Sequence, residues 1–128
     1  MWKKSEIPGY IAHAKNVELD TYEKSIERIA FLISSIFRQN RFLYESEKLD
    51  EQQRFIFFSI LSGNATEALL ESALLFLTEC LYAYYQKRII VLLDEYDAPI
   101  DNAERYGYYE EMIGFMRGFL GSVFKTND

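Results

Sequence analysis

A disulfide framework is excluded at once, because Cys80 is the only cysteine in the 128 residues and a single thiol cannot pair within its own chain. Its expected role is a small buried apolar residue on a helix. Histidine is equally scarce. His13 stands alone, without an acid or thiol partner near it in the chain, and no Cys/His cluster has metal-ligand spacing. Long apolar runs are missing too: none approaches the roughly 18 residues that spanning a membrane requires. Residues 1–9 carry cations with no apolar run behind them, unlike a secretory leader. A soluble, cytoplasmic protein is therefore expected. Cations are the minority charge, 14 Lys and Arg against 20 Asp and Glu for a net charge of −6. That balance argues against a broad phosphate-binding face for direct nucleic-acid binding, which needs clustered cations. Linkers, repeats and low-complexity stretches are absent as well.

What is present is apolar and aromatic. Hydrophobic residues make up 49% of the chain and aromatics 16%, with ten Tyr and ten Phe. Such a composition can bury a core and does not resemble a disordered chain. The length fits one domain.

Most of the chain reads as helix. Asp20 with Glu23 three residues later predicts a capping box. Ile26, Ile29, Ala30, Ile33, Ile36 and Phe37 then form an apolar stripe at helical spacing to about Gln39. Residues 40–49 read as a connection with a short helical piece. Asp50 with Gln53 predicts a second cap, opening a helix to about Ser62. Its run Phe55-Ile56-Phe57-Phe58-Ser59-Ile60-Leu61 has strand propensity, but the flanking signals favour helix, and Gly63 is a fair terminator. Asn64 with Glu67 repeats the capping signature ahead of one long helix to about Gln86, with Leu70, Ala73, Leu74, Leu77, Leu81 and Tyr84 on one side. Residues 101–107 read as a loop. A last helix, from about Tyr108 to Phe124, carries the stripe Tyr109, Met112, Ile113, Met116, Phe119, Leu120 and Val123. Met112 and Met116 are expected to fill core, and Gly114 and Gly118 to mark close packing.

The exception is the stretch after Lys87-Arg88. Five consecutive branched apolar residues, Ile89-Ile90-Val91-Leu92-Leu93, run directly into Asp94-Glu95-Tyr96-Asp97. The run is short and no helical period fits it, so it predicts a strand buried on both faces. A helix feeding such a strand is half of a parallel crossover unit. Carboxylates at the carboxyl end of a buried strand suit magnesium, a hard cation that needs only one or two acids beside water and phosphate oxygens. A second carboxylate can orient an attacking water, since phosphoryl transfer rests mostly on positioning and electrostatics. Asp94 takes the metal role in this reading and Glu95 the catalytic one; the alternative that the stretch alone leaves open is a core strand ending in a solvated acidic turn. Asp97 reads as a carboxylate closing the turn ahead of Pro99. Arg105 and Arg117 read as solvated charges.

Asp94-Glu95-Tyr96-Asp97-Ala98-Pro99-Ile100, with Gly107-Tyr108-Tyr109-Glu110 and Gly114-Phe115-Met116-Arg117-Gly118-Phe119-Leu120, resembles the bacterial AAA-ATPase-like family. The likeness extends upstream through Asn16-Val17-Glu18-Leu19-Asp20-Thr21-Tyr22-Glu23 and Leu43-Tyr44-Glu45-Ser46-Glu47-Lys48-Leu49, and so covers residues 16–128. Residues 1–15 are the divergent segment. The resemblance implies a P-loop NTPase domain, often followed by a PD-(D/E)XK nuclease-like domain, with ATP and Mg²⁺ as ligands and Asp94-Glu95 as its Walker B acids. It also implies an α/β fold, mostly helical around one central buried strand.

The chain departs from the family in one respect that bears on activity. None of its six glycines begins a Gly-Lys-Ser or Gly-Lys-Thr, the loop by which the family cradles phosphate. The sensor strand and arginine-bearing segment expected after the last helix are not found either. The expectation is thus a partial ATPase domain built around the Walker B acids, inactive alone, binding nucleotide only where the missing segments are supplied. Unpaired edges of its strand would invite self-association. The competing reading is a non-enzymatic, truncated or degenerate copy acting at most as a protein-interaction module. A third is an all-helical regulatory protein in which residues 89–93 form a helix core.

Overall fold

The computed structural model describes residues 19–87 and 98–126. Seven helices occur among them: α1 Tyr22–Gln39, α2 Arg41–Glu45, α3 Glu51–Leu61, α4 Glu67–Glu71, α5 Ala73–Tyr85, α6 Ala98–Tyr106 and α7 Tyr109–Thr126. No strand or sheet occurs among the described residues. The α/β class expected from the sequence is therefore corrected to a helical fold. The strand expected at residues 89–93 lies outside the described residues. The physical reason for the correction is plain in the described part: its apolar stripes find partners in other helices, so no sheet is needed to cover them.

α1 begins one residue later than the expected capping box. Thr21, in extended conformation, is the N-cap, and its Oγ1 accepts from the Lys24 amide at 3.1 Å. Asp20 lies just outside the helix and pairs instead with the Lys24 ammonium at 2.9 Å on the exposed surface. The Lys24 hydrogen bond and charge hold the Asp20 carboxyl below its ordinary range. The stripe of α1 faces inward as expected, with Ile33 and Phe37 buried and Ile26, Ile29, Ala30 and Ile36 half-buried against the core.

α3 follows its sequence signals closely. Asp50 accepts from the Gln53 amide at 2.7 Å while the Gln53 side chain accepts from the Asp50 amide at 2.9 Å, a complete capping box. The helix ends on Gly63 at φ +83°, where the Gly63 amide donates to Ile60 and the Asn64 amide to Ser59. These crossed bonds close the helix, and the left-handed position favours glycine. Phe57, Ile60 and Leu61 are buried. The Leu61 carbonyl, left over at the helix end, accepts from Ser34 Oγ at 2.7 Å and from Arg38 at 3.3 Å, so α1 satisfies the end of α3.

The single long helix expected up to Gln86 is broken at Ser72 into α4 and α5. Thr66, not Asn64, caps α4 by accepting from the Leu69 amide at 3.2 Å. Ser72 closes α4 through its own amide and hydroxyl, both donating to Leu69 O, and its carbonyl then starts α5 by accepting from the Phe76 amide. The break lets the two pieces take different neighbours: α4 touches α1 and α7, while α5 touches α2 and α7.

Of residues 101–107, expected as a loop, 101–106 are helical within α6 and Gly107 forms the turn after it. Pro99 sits in its first turn, where its missing amide hydrogen matters least. Pro99 and Ala103 are buried and α6 packs on α7. Gly107 at φ +87° ends it, the Gly107 and Tyr108 amides both donating to Ala103 O at 2.9 Å. On α7, Met112, Phe115 and Met116 are buried, whereas Tyr109 is exposed. Gly118 lies under the Glu71 side chain, close enough that a Cβ there would meet it, so α4 and α7 approach closely at that point.

One continuous core joins these elements. Phe37 and Phe57 are buried in it with ring centroids 4.8 Å apart, and the half-buried Phe76 packs against both. Leu43, Leu77, Leu81, Ala103, Met112 and Phe115 extend it toward α7. Fully burying a Phe or Leu side chain contributes about 1.5–3 kcal/mol, so this cluster supplies most of the drive for assembly.

Candidate functional site

The candidate site is the acidic segment that joins α5 to α6, and the described residues build its two supports. α5 is apolar on nearly every side, which fits a helix enclosed by neighbours. Ala73, Leu74, Leu77, Cys80 and Leu81 are buried. Its last turn is gripped by aromatic contacts: Phe42 packs edge-on to Tyr84 at 5.0 Å and to Tyr85 at 6.3 Å. Phe42 belongs to α2, so α2 holds the end of α5 in place.

α5 stops at Gln86, which takes the left-handed conformation at φ 57° and ψ 34°. Its amide donates to Tyr82 O at 2.7 Å and its side-chain amide to Ala83 O at 2.8 Å. Glutamine here does what glycine usually does at a helix end, at a conformational cost of about 1–2 kcal/mol, and the side-chain bond offsets part of that cost. Lys87 follows, exposed. Asp94, the expected magnesium ligand, Glu95, the expected catalytic residue, and Asp97 all lie outside the described residues. The chain is described again at Ala98, where α6 begins. Both α5 and α6 rest on α7.

The other residues singled out by sequence fall as follows. Arg105 and Arg117 are exposed, and His13 lies outside the described residues. Cys80 is fully buried, and burial pushes its thiol up to about 12. Among the described residues no group of three or more His, Cys, Asp or Glu side chains could hold a metal ion. No helix there is long and apolar enough to cross a membrane.

One polar arrangement was not legible in the sequence. Tyr22 of α1 donates its phenol hydrogen to Glu67 of α4 at 2.6 Å. Burial, the Glu67 bond and the charges of Glu67, Glu71 and Glu111 raise the phenol above its ordinary range. The partners are 45 residues apart, and no local spacing brings them together. The bond ties α1 to α4 and involves no residue of the acidic segment.

A family model described as "Predicted AAA-ATPase" matches residues 10–128. No curated protein and no solved structure matches the chain.

Proposed function

The chain belongs to the predicted AAA-ATPase family, and from that membership we propose that it carries the magnesium-binding and water-activating part of an ATP-hydrolysing domain. The observation that supports this most is the family match running across Asp94-Glu95. Nucleotide binding goes with the family. The donor set suits Mg²⁺, because carboxylate oxygens are the hard ligands that ion prefers. Asp94 would hold the ion, which when bound neutralises phosphate charge. Glu95 accepts a proton from the attacking water and fixes its direction.

Residues 1–128 are inactive as they stand in this reading. They contain no Gly-Lys-Ser or Gly-Lys-Thr, and such a loop supplies the backbone amides and the lysine that cradle the phosphates. Two carboxylates without that cradle repel a polyanion. Calorimetric titration of residues 1–128 with MgATP tests this, and little or no binding heat is expected. A micromolar dissociation constant would show that the chain holds the phosphates by other means.

A further inference from the structure

We draw no further inference here: the strongest candidate, the surface patch formed by Phe55 (72% exposed) and Phe58 (48% exposed) on the outward side of α3, is an unpartnered apolar face, and nothing in the structure shows what covers it.

Discussion

The phenol of Tyr108 donates a hydrogen bond to the backbone carbonyl of Leu19 at 2.7 Å, and the two residues lie 89 positions apart in the chain. The bond is buried. It fastens the entry to α1 onto the start of α7, and Tyr108 also packs edge-on to Tyr22, with ring centroids 6.2 Å apart. The first and last described helices are thereby closed on each other.

Tyr108→Phe keeps the ring contact and deletes only the hydroxyl. The Leu19 carbonyl then loses its partner in a buried setting, which costs about 1–3 kcal/mol. Urea unfolding should show a lower midpoint with an unchanged slope. An unaltered midpoint would mean that water replaces the phenol at no loss.

Thr21 and Asp20 separate the observed cap from the expected one. Thr21→Ala removes the oxygen that accepts from Lys24 and should destabilise the protein by about 1 kcal/mol. Asp20→Ala removes only an exposed ion pair with Lys24, which solvent screens, so its loss costs little. Thermal unfolding of the two variants should therefore rank Thr21→Ala as the more damaging. The reverse order would restore Asp20 as the cap.

Alkaline pH should weaken the fold. Burial raises the Cys80 thiol from 9.0 to about 12, and the Tyr22 and Tyr108 phenols are raised from 10.0, in each case chiefly by burial. In the unfolded chain each group ionises at its ordinary value, while the folded chain keeps its proton. The unfolded state then binds fewer protons, so stability falls as pH rises. The stability that these groups contribute is complete below about pH 9 and is lost as pH climbs toward 12. Denaturant midpoints measured from pH 8 upward should decline accordingly, with a smaller decline in Cys80→Ala. A thiol reagent at neutral pH should modify Cys80 only after unfolding.

The acids are tested in a chimera that supplies a Gly-Lys-Ser loop to residues 1–128. Glu95→Gln should leave nucleotide binding largely intact and cut turnover by roughly 10²-fold, as expected for loss of a general base. Asp94→Asn should weaken binding in the presence of Mg²⁺ more than in its absence. Normal turnover in Glu95→Gln would remove that residue from the reaction.

Local signals sufficed wherever a helix is specified by near neighbours. The capping box of Asp50 and Gln53, the stop at Gly63 and the inward stripe of α1 all depend on contacts within a few residues, and each is readable from spacing. Asp94 and Glu95 lie within the family match but outside the described residues. Cap choice was less legible, because oxygen-bearing side chains one or two residues apart compete and the backbone selects one: Thr21 over Asp20, and Thr66 over Asn64.

Other features depended on distant partners. The break at Ser72 follows from α4 and α5 meeting different neighbours, which a continuous run of good helix formers does not announce. Residues 101–107 carry turn-like Asp, Asn and Gly, yet Ala103 buried in the core and the packing of α6 on α7 make residues 98–106 a helix. The Tyr108 and Leu19 bond and the Tyr22 and Glu67 bond span 89 and 45 residues. Hydrophobic period and capping act within one or two turns of chain, whereas these contacts exist only once the helices have packed, so packing alone decides them.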